Sequence, residues 1–96
     1  MPGDNYGNTA LLRVAGVPGA WTPFAIPQGA KDALLTIDNP TASWRVTPDA
    51  SIPLGTGTFI GASAGITWSG TATAPSVLYF DPSAPTVLNV LYVVDH

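Results

Sequence analysis

Ten prolines are spread along the 96 residues of this chain, and their spacing limits what the chain can fold into. Proline lacks a backbone N–H and its ring clashes with the preceding turn of a helix, so it interrupts helices. The longest proline-free stretch, residues 54–74, is rich in glycine, threonine and serine, which are poor helix formers. We therefore expect an all-β protein with no helix longer than about two turns.

Short runs of β-branched and aromatic residues lie between the prolines and glycines, as is typical of strands. Seven or eight such strands at short, even spacing predict a small antiparallel β-sandwich or jelly-roll-like domain. We assign residues 1–8 to a flexible N-terminal arm and residues 9–96 to this single domain. The predicted strands are Thr9–Val14, Trp21–Ile26, Asp32–Asp38, Ser43–Thr47, Thr56–Ile60, Ile66–Ser69, Val77–Asp81 and Thr86–Val94.

Alternation along two of these strands indicates which face is buried. Ala33, Leu35 and Ile37 share one face of the third strand. Trp44 and Val46 share one face of the fourth. Apolar residues at every second position are typical of half-buried strands in an antiparallel sheet, so we expect these faces to line the core.

The last predicted strand differs, because both of its faces are apolar. Only one face of a strand meets the core of a two-layer domain, so the other is expected to contact a neighbouring subunit. The alternative is a closed, barrel-like interior with Asn89 near a rim. The candidate interface residues are those of this strand and one tryptophan: Trp21, Val87, Leu88, Val90, Leu91, Tyr92 and Val93.

The tryptophans and the glycine-rich segment each allow two interpretations. Trp44 and Trp68 alternate with apolar residues, which predicts that both are buried. Trp21 lies near Pro23 on a predicted edge strand, where core or interface packing and stacking on a sugar ring are equally compatible with the pattern. For Gly55–Gly70 we favour a pair of hairpins with positive-φ glycines over a loop that lies flat on a partner.

Few residues are able to carry chemistry. The chain has no cysteine and its single histidine is His96, which excludes disulfides, thiolate zinc sites and a histidine metal site. Asp38, Asp49 and Asp81 each lie close to a proline, where capping of a turn explains them. We therefore expect no catalytic residue, no metal and no cofactor, and a protein that is not an enzyme.

The charge pattern narrows the class of partner. Only 9% of the residues are charged and the net charge is −3, with no basic run able to neutralise phosphates, so we expect no nucleic acid. No apolar run is long enough to span a membrane, and residues 1–8 lack the pattern of a signal peptide. A surface with so few charges favours packing against another protein.

Four segments carry a resemblance to a known class of proteins: Ser43–Pro48, Ile52–Gly55, Val77–Phe80 and Val87–Val94. With them, the region from residue 34 to residue 94 resembles small virion proteins of tailed bacteriophages, namely capsid decoration (cement) proteins and head- or tail-fibre β modules. The resemblance implies a β-sandwich or barrel that trimerises on the virion capsid surface after synthesis in the host cytoplasm. The implied partner is the major capsid protein or another virion protein.

We expect a structural virion protein that binds the outer surface of a phage head and stabilises it by bridging subunits without covalent bonds. The alternative is a fibre or tail-tip β module that binds a host receptor or glycan, for which Trp21 is the first residue to test.

Overall fold

A computed structural model of the chain describes residues 9–71 and 76–94, so the predicted N-terminal arm lies outside the described residues. In this part of the chain every regular element is a strand, and no helix is long and apolar enough to cross a membrane. The prediction of an all-β fold is confirmed. The strands are β1 (Thr9–Gly16), β2 (Thr22–Ile26), β3 (Ala30–Ile37), β4 (Trp44–Thr47), β5 (Thr58–Ile60), β6 (Ile66–Thr71), β7 (Ser76–Pro82) and β8 (Thr86–Val94).

The strands form two antiparallel four-stranded sheets that pack face to face. The first sheet has the order β1-β8-β3-β6 and the second the order β2-β7-β4-β5. The pairs are nested, since β1 pairs with β8, β2 with β7, β3 with β6 and β4 with β5. One long antiparallel hairpin rolled over itself has this connectivity, which is that of a jelly roll. The predicted sandwich is therefore confirmed.

The core lies between the two sheets and is built from their inward faces. Trp44 and Val46 are buried there, as their alternation predicted. Trp68, also predicted to be buried, is only half-buried at the border of the core, because β6 is an edge strand. The buried apolar residues of the cluster are Phe24, Ile26, Ala30, Ala33, Leu35, Trp44, Val46, Ile60, Phe80, Leu88 and Val90.

Four strands, β1, β3, β6 and β7, are longer than predicted because strand pairing continues past the apolar run. β1 extends to Gly16, which lies opposite Thr86. β3 begins at Ala30, opposite Val94, and a register shift follows between Lys31 and Ala33. Within that bulge the backbone of Asp32 has a φ of 46°, a left-handed conformation that aspartate tolerates better than most residues.

The glycine-rich segment forms one hairpin and not two. β4 and β5 pair as a hairpin, and the loop between them contains Gly55 and Gly57 at φ values of 86° and 88°. β5 and β6 lie in different sheets, so residues 61–65 carry the chain across the sandwich. The prediction of a second hairpin in Gly55–Gly70 is therefore wrong, since sheet assembly decides the pairing.

Candidate interaction surface

One of the two apolar faces of β8 lies inside the sandwich. Leu88 and Val90 are fully buried between the sheets, and Tyr92 packs against the same core. Two-residue alternation turns these side chains inward, so Leu88 and Val90 are not available to a partner, which corrects the prediction for both. The barrel-like alternative is also wrong, because β8 is a central strand of an open sheet.

The other face of the first sheet carries a row of three exposed leucines. Leu91 of β8 lies opposite Leu11 of β1 on one side and Leu34 of β3 on the other. The exposed fractions are 54% for Leu11, 43% for Leu91 and 44% for Leu34. Opposing residues of antiparallel strands have Cβ atoms about 4.5–5.5 Å apart, so the three form a continuous apolar strip. We call these three residues the leucine row.

Two valines of β8 widen this apolar surface. Val93 is exposed and lies two residues from Leu91, and Val87 lies on the same face, opposite Ala15 of β1. Three predicted interface residues, Val87, Leu91 and Val93, are thus together on the outer face of the first sheet.

The sequence pattern does not single out the two other leucines of the row. Leu11 is followed by Leu12, and Leu34 by Leu35, so each pair places one leucine on each face of its strand. In both pairs the second leucine packs into the core and the first is exposed. Leucine doublets in neighbouring strands are the signal for an apolar outer face, but only the register shows that the exposed members are aligned.

A polar cluster borders the leucine row. Arg13 forms an ion pair with Asp38, and both side chains are about half exposed. The Asn89 side-chain amide donates a hydrogen bond of 2.6 Å to the other carboxylate oxygen of Asp38. An exposed ion pair contributes only about 0–1 kcal/mol to stability. Its main consequence is local, because it neutralises the charge of Arg13 beside the apolar strip.

Trp21 is not part of this surface. It lies directly before β2 of the second sheet, and its indole N–H donates a hydrogen bond of 3.0 Å to the Ile52 carbonyl in the β4–β5 loop. The indole of Trp21 thus anchors this loop.

In the β4–β5 loop, the Oδ1 atom of Asp49 accepts hydrogen bonds from the hydroxyl and the backbone N–H of Ser51, at 2.7 and 2.9 Å. These two bonds lower the pKa of Asp49 below its ordinary value of 3.8.

The outer face of the second sheet has a different character. Phe59 of β5 is 57% exposed, and the guanidinium carbon of Arg45 lies 5.0 Å from the centre of its ring. Asp81 of β7 lies opposite Arg45, and these side chains border a shallow pocket of about 100 Å³. Val77 of β7 is also exposed. On this face Phe59 has polar neighbours, whereas Val77 lies opposite Ala25 of β2.

A larger cleft opens between the two sheets and has a volume of about 160 Å³. Core side chains form its floor, and residues of the edge strands β5 and β6 form part of its rim. The lining is mainly apolar: Leu35, Val46, Thr47, Pro48, Thr58, Ile66, Thr67, Trp68 and Leu78.

Within residues 9–71 and 76–94, no group of three or more histidine, cysteine or acidic side chains is arranged to hold a metal ion. The surface features described above are an apolar strip, a pocket, a cleft and a few paired charges. Such features are suited to binding other molecules by burial. No family model, no curated protein and no solved structure matches the chain.

Proposed function

We propose that this protein is a structural virion protein, a capsid decoration protein of a tailed bacteriophage. It assembles into a homo-oligomer, with a trimer favoured, through the outer face of its first sheet. The oligomer binds the outer surface of the phage head and stabilises it by bridging subunits without covalent bonds. The observation that carries the proposal is the leucine row, and the phage assignment rests on the sequence resemblance.

The leucine row supports an interface because its apolar residues are contiguous. Single exposed leucines are common on protein surfaces, whereas continuous apolar patches mark interaction sites. Leu11, Leu91 and Leu34 lie on three adjacent strands, and Val93 enlarges the patch along β8. A partner that covers this face removes four large apolar side chains from water, at about 25 cal/mol per Å² of apolar area.

A second copy of the chain fits this face because the charges that surround it within residues 9–71 and 76–94 balance. Arg13 is paired with Asp38, and Lys31 and Asp32 follow each other in β3 near Val93. Two cations and two carboxylates sum to zero, so copies of this face meet around a symmetry axis without net repulsion.

Because many copies bind one head, weak contacts between individual subunits are sufficient to stabilise it. A typical stable interface buries about 800 Å² per partner. When several such interfaces act together, each further contact forms at a high effective concentration, so the assembly is held more tightly than any single pair. A charge-poor jelly roll with an apolar outer face is suited to forming such repeated contacts.

The test compares two charge substitutions on opposite faces. Leu91→Asp places a carboxylate in the middle of the leucine row, and Val77→Asp places one on the central strand β7 of the other sheet, where Val77 is 48% exposed. We expect light scattering to show an oligomer for the wild type and Val77→Asp, and a folded monomer for Leu91→Asp. Sedimentation with heads lacking decoration protein is expected to retain only the first two.

A wild-type protein that is a soluble monomer without affinity for heads would refute the proposal. Equal loss of assembly in both variants would show that the effect is not specific to the leucine row, and an assembled Leu91→Asp variant would place the interface elsewhere.

The alternative function, a fibre or tail-tip module that binds a receptor or glycan, is favoured by one observation. Phe59 is an exposed aromatic ring with Arg45 and Asp81 as polar neighbours, a combination of apolar face and hydrogen-bonding groups that suits a sugar. A glycan array separates the two functions. Binding that is abolished by Phe59→Ala and unaffected by Leu91→Asp would favour the alternative.

A further inference from the structure

The strand β6 forms one edge of the first sheet. It pairs with β3 on one side, and within residues 9–71 and 76–94 no strand pairs with its other side. An edge strand presents backbone N–H and C=O groups that are able to pair with another extended chain.

Proteins usually protect such edges by making the strand very short or by adding a charge or a proline. The other three edge strands of the sandwich each have one of these features. β1 carries Arg13, β2 contains Pro23, and β5 has only three residues. β6 has six residues, Ile66–Thr71, and none of them is charged or a proline. It is therefore the edge most open to pairing.

The cleft between the sheets lies beside this edge. Ile66 and Trp68 of β6 line it together with Leu35 and Leu78, and so does Thr58 of β5, an edge strand of the second sheet. Apolar cavities of about 150 Å³ are known to take up a benzene-sized molecule. The cleft, at about 160 Å³, is therefore large enough for one leucine or phenylalanine side chain.

We propose that the β6 edge binds an extended, uncharged segment of another protein, which adds a fifth strand to the first sheet and inserts one large apolar side chain into the cleft. Alternate residues of an added strand point toward the second sheet, where the cleft lies. A neutral segment fits because the strand itself is uncharged, and the adjacent charges Lys31 and Asp32 on the neighbouring strand β3 have opposite signs.

This inference is independent of the proposed function, because the β6 edge and the leucine row are different parts of the sheet. A segment added beside β6 extends the sheet and leaves Leu91 uncovered, since β3 lies between β6 and β8. Leu91→Asp is therefore expected to leave binding at the β6 edge unchanged.

The test uses capped heptapeptides of the form Thr-Val-Thr-X-Thr-Val-Thr, in which X is leucine, phenylalanine or aspartate. Each peptide is titrated into the isotope-labelled full chain and followed by NMR. With leucine or phenylalanine at X, we expect chemical-shift changes at the backbone amides of Ile66–Ser69 and slower hydrogen exchange of those amides that point away from β3. With aspartate at X, binding should be at least about tenfold weaker, because a charge would enter an apolar cleft.

Two matched variants locate the site. Ser69→Lys adds a charge to the exposed face of β6, and Ala15→Lys adds the same charge to the exposed face of the opposite edge strand, β1. Binding of the leucine peptide should weaken about tenfold in Ser69→Lys, as edge lysines oppose strand addition, and stay unchanged in Ala15→Lys.

Three results would overturn the proposal. The first is that neither apolar peptide shifts the β6 amides. The second is that both lysine variants bind like the wild type. The third is that the outward-facing β6 amides are already protected from exchange without peptide, which would mean that the chain covers this edge itself.

Discussion

Gly16, the last residue of β1, has no room for a side chain. A Cβ atom built on it would lie 2.5 Å from Cζ and 2.7 Å from Cε2 of the Phe80 ring, far inside van der Waals contact. Phe80 is fully buried and packs edge to face against Phe24, with ring centroids 5.9 Å apart, so the ring has little freedom to move. We therefore predict that Gly16→Ala destabilises the fold.

Overpacking a well-filled core typically costs about 1–3 kcal/mol. In a domain of this size each kcal/mol lowers the melting temperature by about 4–8 °C, so thermal unfolding followed by circular dichroism is expected to shift down by at least about 4 °C. Gly61→Ala is the matched control. Its Cβ would meet no atom within 4 Å and its φ is not positive, so we expect no loss of stability.

A double-mutant cycle tests whether contact with the Phe80 ring causes this loss of stability. Phe80→Leu shortens the side chain that opposes Gly16, so in that background the alanine is expected to cost much less than it does in the wild type. The explanation is refuted if Gly16→Ala has the same melting temperature as Gly61→Ala. It is also refuted if Gly16→Ala lowers stability by the same amount in the wild-type and Phe80→Leu backgrounds.

Three further predictions concern the tryptophans and one carboxylate. Trp44→Ala should cost about 3–5 kcal/mol in chemical unfolding, whereas Trp68→Ala should cost clearly less, because Trp68 is only half-buried; equal costs would contradict their placement. Trp21→Phe removes the hydrogen bond to the β4–β5 loop and should cost about 0.5–1.5 kcal/mol in the same assay; wild-type stability would argue against this anchoring. The pKa of Asp49 is lowered by its bonds to Ser51, so its stabilising contribution is complete above the ordinary value of 3.8 and is lost as the pH falls through the lowered pKa. NMR titration should show the Asp49 midpoint returning toward 3.8 in Ser51→Ala, and an unchanged midpoint would contradict this cause.

Local features of the sequence determined the strands and their inward faces. Prolines and β-branched runs act within a few residues, so they exclude long helices and mark eight strands without reference to the rest of the chain. The two-residue period of a strand is also local, and it placed Trp44, Val46 and Leu35 in the core correctly. Pro23 likewise marked β2 as an edge strand.

The candidate surfaces depend on contacts between residues far apart in the chain. Leu11, Leu34 and Leu91 form a row only because β8 pairs with β1 and β3 in one register, and a shift by one residue would turn Leu91 inward. The hydrogen bond of Trp21 joins residues 31 positions apart, and the Arg13–Asp38 pair spans 25. The cleft beside β6 exists because β5 and β6 lie in opposite sheets. Strand order and register arise when the whole sandwich buries its core, so only the tertiary structure decided which apolar residues remain at the surface and which of them meet.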